Sequence, residues 1–180
     1  MKLYLDLDDT VFNTTEYLEE ILSWDKNQTG SVYDRFVVSG DFVSMSGMLN
    51  YYEIPLKIKK SEIDLLKEKH KVVICSEYCT EGEFLLKKKV CKDILGVDDI
   101  IGVYRLESRK YTLDLSDGIL IDDNIEILHK CNAFKKFWYA DDIVLSNIRS
   151  DIVLNPEEMR DIVSVRDFKG LYAELERLGV

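Results

Sequence analysis

Histidine is scarce in this chain: only His70 and His129 occur, and each is isolated. Lone histidines are more often surface or satisfied core residues than ligands, so a histidine-built zinc centre lacks donors. Cysteine does not replace them. Cys75, Cys79, Cys91 and Cys131 form no C-x-x-C pair, and the residues six places after Cys75 and Cys79 are Glu81 and Leu85. The Cys-x5-Arg phosphate cradle of cysteine phosphatases is therefore missing. Cys75 and Cys131 fall in apolar or element-like segments and are expected as buried thiols. The simplest reading is a cytoplasmic protein with reduced cysteines. Neither a G-x4-G-K-S/T loop nor a G-x-G-x-x-G turn is present. No apolar run approaches the ~20 residues that span a bilayer, and the opening apolar run is too short, and broken by Asp6, to read as a signal peptide. A basic surplus is also lacking. The net charge is −10 and the isoelectric point is about 4.8. That disfavours a nucleic-acid polymer as partner, which needs a basic surface, and no membrane partner is expected. A small phosphorylated metabolite stays compatible, because a divalent cation and one lysine neutralise a single phosphate locally.

Two prolines, nine glycines and the absence of low-complexity segments or repeats leave a chain of 180 residues with 46% hydrophobic content. This is a globular chain, long enough for one domain with a sizeable core and a small insertion. The apolar stretch at 2–7 reads as a first strand. A helix capped by Thr14 or Thr15 runs to about Trp24, with Tyr17, Leu18, Ile21 and Leu22 on one face. Residues 25–31 read as a loop. A helix follows from Ser61, as N-cap with Asp64 as a weak capping-box partner, and then the continuous apolar run Val72–Cys75, closed by Ser76. A continuous apolar strand after a helix suits a parallel sheet covered on both faces. Residues 80–94 read as a helix with Phe84, Leu85, Val90, Cys91 and Leu95 inward. Further strands are expected at 100–103, 119–121 and 137–139, a short helix from Ile125 to Cys131, and helical pieces near 156–161 and from Phe168 to Leu178. Alternation of this kind argues for an α/β doubly wound, Rossmann-like parallel sheet. Its sites form beyond the C-terminal ends of the strands.

The acids fall at those ends. Asp6 and Asp8 close the first strand, two residues apart, a spacing that points both side chains to one side of an extended backbone. Like charges held together raise each other's pKa, and a hard cation such as Mg²⁺ relieves the repulsion through oxygen ligands. Ser76 ends the second strand. Asp122 and Asp123 end the fourth, where the plain alternative is a pair of helix N-cap residues for 124–131.

Asp6-Leu7-Asp8-Asp9-Thr10-Val11 after an apolar strand resembles the D-x-D-x-T/V motif of the haloacid dehalogenase-like phosphohydrolases. The order of the later segments, over residues 1–140, resembles that family's remaining motifs. The resemblance implies an aspartyl-phosphate mechanism with Asp6 as nucleophile and Asp8 as general acid and base. It implies phosphate binding by Ser76 and the neighbouring amide of Glu77. It implies a third-motif lysine, for which Lys110 is preferred over Lys87, Lys88, Lys89 and Lys92, whose plain reading is a solvated helix face. It also implies an Mg²⁺ site from the Asp6 side chain, the Asp8 backbone carbonyl, Asp122 and waters, with Asp123 direct or through water. Thr10 supports the loop. Asp9, at the variable position, is grouped with the phosphate-binding residues, although its side chain is expected to be structural or solvated.

Within the family the plan is most similar to the 5'-nucleotidase and deoxyribonucleotidase branch. The expected layout is a core of 1–12 and 61–180 with a small cap inserted over 13–60. That insertion carries Trp24, Tyr33, Phe36, Phe42, Met45, Met48, Tyr51 and Tyr52, of which one or two at most are expected to face a ligand and stack on a base. A nucleoside monophosphate is the first expectation for substrate, a sugar phosphate or phosphoprotein the second. A phosphate- or nucleotide-binding module without turnover and a phosphotransferase are the other classes compatible with these residues.

Overall fold

The structure is a computed structural model and describes residues 1–24, 32, 36, 40–146 and 159–179. Its elements are β1 (Lys2–Leu5), α1 (Thr14–Ile21), α2 (Phe42–Met48), α3 (Lys60–Lys67), β2 (Lys71–Tyr78), α4 (Glu81–Val90), β3 (Ile100–Tyr104), β4 (Gly118–Asp122), α5 (Ile125–Lys130), β5 (Lys135–Tyr139), α6 (Asp142–Ser146), β6 (Ile162–Val165) and α7 (Phe168–Leu178). A π-helical turn, Cys91–Leu95, extends α4, and a 3-10 turn, Lys110–Thr112, precedes β4.

All six strands are parallel, in the order β3-β2-β1-β4-β5-β6. The strands are apolar almost throughout because both faces of the sheet are covered. Alternate residues divide between the two faces. Leu3, Leu5, Ile74, Ile119, Ile121 and Phe137 pack with Leu18 of α1, Ile63 and Leu66 of α3, Val90 of α4 and Leu171 and Leu175 of α7. Tyr4, Val73, Cys75, Leu120 and Trp138 pack on the other side with Ile125, Ile127 and Leu128 of α5. Two glycines let rings lie flat on the sheet. A Cβ on Gly102 would stand 2.2 Å from the Phe84 ring, and one on Gly118 would stand 2.6 Å from the Tyr4 ring.

Several local expectations shift. Ser76 does not close its strand: β2 runs on to Tyr78, and Ser76 pairs with Gly102 of β3. Helix α3 starts two residues earlier than a Ser61 cap requires. Its N-cap is Lys59, whose backbone N–H donates to the Glu62 carboxylate, while Asp64 pairs with Lys60. On α1 the N-cap is Asn13 and Thr14 is the first helical residue. Ile21 and Leu85, both expected inward, are exposed. The inward face of α4 carries Val90, as expected, and also Glu83 and Lys87. Val163–Val165 belongs to a strand, β6, that local pattern did not mark. The loop expected over 25–31, Tyr33, and residues 156–158 of the helix expected near 156–161 lie outside the described residues; residues 159–161 form a turn.

The segment between α1 and α3 returns to the loop after β1. The Asn13 N–H donates to the Pro55 carbonyl (2.8 Å) and the Lys57 N–H to the Val11 carbonyl (2.8 Å). Val32, Phe36, Met45, Leu49 and Tyr51 share the buried cluster of Leu3 and Leu5. The four cysteines are free and buried. Among the described residues, no helix is long and apolar enough to cross a membrane.

Candidate active site

The strand order reverses direction at β1. The chain steps outward to β2 and β3, then crosses back to place β4 on the other side of β1. A crevice opens at such a switch point. The parallel register aligns Leu5 with Ile121, so the residues that follow, Asp6 and Asp122, emerge side by side. The Asp6 N–H continues the ladder to the Ile121 carbonyl at 3.0 Å.

Lys110 joins the two acids. Its ammonium is 2.7 Å from Asp6 Oδ1 and 2.5 Å from Asp122 Oδ2, with all three side chains buried. Burial alone would lower the lysine; Asp122 and Asp6 reverse that and carry it well above its ordinary value. The loop that delivers Lys110 is fastened by Glu77, whose Oε1 accepts from the Lys110 N–H (3.0 Å) and from Arg109 Nε (2.8 Å). The Glu77 carboxylate is thus directed at this loop, on the sheet face opposite Ser76.

Asp123 completes the acidic group. One carboxylate oxygen from each of Asp6, Asp122 and Asp123 lies within 4.8 Å of the others. Helix capping does not explain this pair. Asn124 caps α5, accepting from the Glu126 and Ile127 N–H groups, while Asp122 Oδ1 accepts from the Asn124 N–H and Oδ2 faces Lys110. Burial raises Asp123 well above the usual carboxylate range, and Asp122, Asp6 and Asp9 add to the shift. Burial likewise raises Asp6, against the opposing charge of Lys110. Lys110 contacts two of the three carboxylates, so the group keeps an excess of negative charge that one ammonium does not offset. An all-oxygen donor set with that excess fits a hard divalent cation such as Mg²⁺.

Asp8 belongs to a separate group. Its Oδ1 accepts from Tyr51 OH (2.6 Å) and Thr14 Oγ1 (3.1 Å), and its Oδ2 from Lys87 Nζ (2.8 Å). Burial would raise its pKa, but the charge of Lys87 and the hydrogen bonds from Lys87, Tyr51 and Thr14 outweigh it and hold the group below its ordinary value. Lys87 is fully buried, against the reading of a solvated helix face. It also reaches Glu83 (2.8 Å), Ser76 Oγ (3.1 Å) and the Glu77 carbonyl (2.6 Å). Ser76 is therefore tied to the Asp8 group through one ammonium.

Around the loop, Asp9 takes a left-handed backbone (φ 56°). Its carboxylate turns to α1, accepting from the Thr15 N–H (2.8 Å) and Thr15 Oγ1 (2.6 Å). These bonds anchor the helix N-terminus. Thr10 Oγ1 faces Asp123 Oδ1 at 3.4 Å. Lys57 holds the Asp9 carbonyl (2.9 Å) and Asp141 (2.7 Å).

Lys87, Glu83, Tyr51 and Thr14 are the site residues that motif order did not single out. The usable signal for Lys87 was its spacing: Glu83, Lys87 and Val90 follow the i, i+4, i+7 rule of one helix face, which placed a lysine among inward residues.

No family model matches the chain, and no curated protein matches it in sequence. In structure it is similar to a haloacid dehalogenase-like family hydrolase from Xanthomonas campestris, with a TM-score of 0.56 and 14% sequence identity, over 99% of this chain and 95% of that one. At that identity the likeness shows a shared fold.

Proposed function

We propose that this chain is an Mg²⁺-dependent phosphomonoester hydrolase that works through an aspartyl-phosphate on Asp6. The observation that carries the reading is the pairing of Asp6 with Lys110 beside Asp122 and Asp123 at the switch point of the sheet. A carboxylate nucleophile next to a buried ammonium suits attack on phosphorus, because the ammonium offsets charge that builds on the transferring group. The fold shared with a hydrolase supports the same reading.

In the first step an Asp6 oxygen forms a bond to phosphorus while the bond to the ester oxygen breaks, and Asp8 gives its proton to the leaving alkoxide. In the second, Asp8 takes a proton from water, which attacks the same phosphorus and frees Asp6. Ser76 and the Glu77 amide bind phosphoryl oxygens, and Lys110 holds Asp6 in place. Asp6, Asp122, Asp123 and the Asp8 carbonyl are the groups that would hold Mg²⁺. Its chemistry is to neutralise phosphoryl oxygens during transfer.

For the substrate, a nucleoside 5'-monophosphate or deoxyribonucleotide is the first choice. Of the aromatic residues in the insertion, Tyr51 is spent on Asp8 and Phe36 is buried. Phe42 is half-buried at the start of α2 with the Arg105 guanidinium over its ring, 4.6 Å from the centre, an arginine–aromatic pair of the kind that stacks with bases. A panel of phosphorylated metabolites, scored for phosphate release with Mg²⁺ and with chelator, tests both parts. Preference for nucleotides over sugar phosphates supports the substrate. Release that is indifferent to chelator contradicts the mechanism.

A further inference from the structure

Tyr51 lies in the inserted segment, 43 residues from Asp8 in sequence, and reaches it with a hydrogen bond of 2.6 Å. The side chain is fully buried. Its ring meets Phe12 edge-on with centroids 5.5 Å apart, and the Lys87 ammonium lies 5.3 Å from the ring centre. Phe12 follows the Asp8 loop directly and bridges to Leu56 just beyond the tyrosine. The phenol is therefore fixed at both ends, by packing at the ring and by the carboxylate at the hydroxyl. A core tyrosine needs one acceptor for its hydroxyl, and backbone carbonyls supply that need as well as an acid does. Here the acceptor is the one carboxylate that also takes Lys87 and Thr14.

We propose that Tyr51 is a positioning residue. Together with Lys87 it sets the orientation of the Asp8 carboxylate toward the leaving-group oxygen, which makes the inserted segment part of the machinery for proton transfer. The proposal rests on the reading of Asp8 as acid and base. A carboxylate with two free torsions samples many orientations, and proton transfer requires one within hydrogen-bond reach of the ester oxygen. Donors on both oxygens, Tyr51 with the longer Thr14 bond on Oδ1 and Lys87 on Oδ2, fix both torsions. Lys87 cannot do so alone, since it is also shared with Glu83, Ser76 and the Glu77 carbonyl.

The test compares Tyr51→Phe with the unaltered protein on two esters, an alkyl phosphate and 4-nitrophenyl phosphate. Phenylalanine keeps the ring against Phe12. Nitrophenolate departs without a proton, whereas an alkoxide needs one, and kcat/KM reports only as far as alcohol release. Full pH profiles are compared, so that the rise in Asp8 pKa on losing the Tyr51 bond is separated from orientation. The expected result is a loss of about 10-fold or more in the maximal kcat/KM for the alkyl ester, a part of the 10²–10⁴ that acid catalysis supplies. The nitrophenyl ester should change about 3-fold or less, with the effect abolished in an Asp8→Asn background. Equal losses on both esters, or no loss on either, overturn the proposal. A double-mutant cycle of Tyr51→Phe with Asp8→Asn on unfolding midpoints reads the contact without turnover. Non-additive shifts support it, and additive shifts overturn it. Failure of the unaltered protein to release phosphate from either ester instead contradicts the hydrolase reading, and the cycle still decides the contact.

Discussion

Lys110 shows how one side chain reconciles two buried acids. Its ammonium is shared by Asp6 and Asp122, and nothing else among the described residues brings a cation to both. Replacing it with methionine keeps the stem and removes the charge. In the proposed reaction the loss in kcat is expected to be about 10²–10³-fold, the scale found when a preorganised electrostatic group is removed. Steady-state kinetics at saturating Mg²⁺, with circular dichroism to confirm the fold, checks this. A loss confined to KM would assign the lysine to ground-state binding. Lys110 was legible from sequence because it stands twelve residues before Asp122 in a loop that leads into an apolar strand. Lys87 was not. It is one of several lysines on α4, and those neighbours are solvated as a charged helix face should be. Spacing puts it on one helix face with Glu83 and Val90, but that this face turns inward, against Asp8, Glu83 and Ser76, depends on how α4 rolls over the sheet.

The roll of α4 is set at the level of elements by a glycine and a ring. Gly102 of β3 offers no side chain, and Phe84 of α4 lies in the space, stacked on Tyr78 with centroids 4.6 Å apart. Gly102→Ala would place a Cβ 2.2 Å from the ring, so the helix must shift or the ring must turn out. Overpacking of this kind costs about 1–3 kcal/mol. Because Lys87 follows Phe84 by less than one helical turn, the same shift moves its ammonium relative to Asp8. Denaturant unfolding should show the loss of stability, and kcat should fall with it. Full activity at reduced stability would mean that α4 does not carry the lysine with it. Strand and helix order was readable from apolar runs, since both faces of a parallel sheet are covered and the strands stay apolar throughout. Edge and end details were not. The strand at Ile162–Val165 is four residues with a serine inside, too short to show a pattern. The start of α3 turned on which of two acids, Glu62 or Asp64, reached back to the backbone.

For the whole molecule, the register between β1 and β4 decides where the acids meet, and register is a property of the assembled sheet. Sequence placed Asp6 and Asp122 at strand ends; their adjacency also required the order β2-β1-β4. Asp8 was expected to share their side of an extended strand. Because β1 ends at Leu5, the loop instead carries Asp8 to Tyr51, Thr14 and Lys87. The buried excess of negative charge predicts that Mg²⁺ stabilises the fold. At a free concentration one hundred times Kd the gain is about 2.7 kcal/mol, or a rise in Tm of about 5–10 °C for a chain of this size. Asp122→Asn should reduce the shift. An unchanged Tm with Mg²⁺ would contradict a cation site at these residues. The most direct measurement of the central claim is acid quench of a single turnover, followed by mass analysis of the peptides. The account predicts one phosphoryl group on the peptide containing Asp6, absent after Asp6→Asn and absent with chelator. Phosphate release by Asp6→Asn at an undiminished rate, with no phosphoryl group trapped on the unaltered chain, would contradict it.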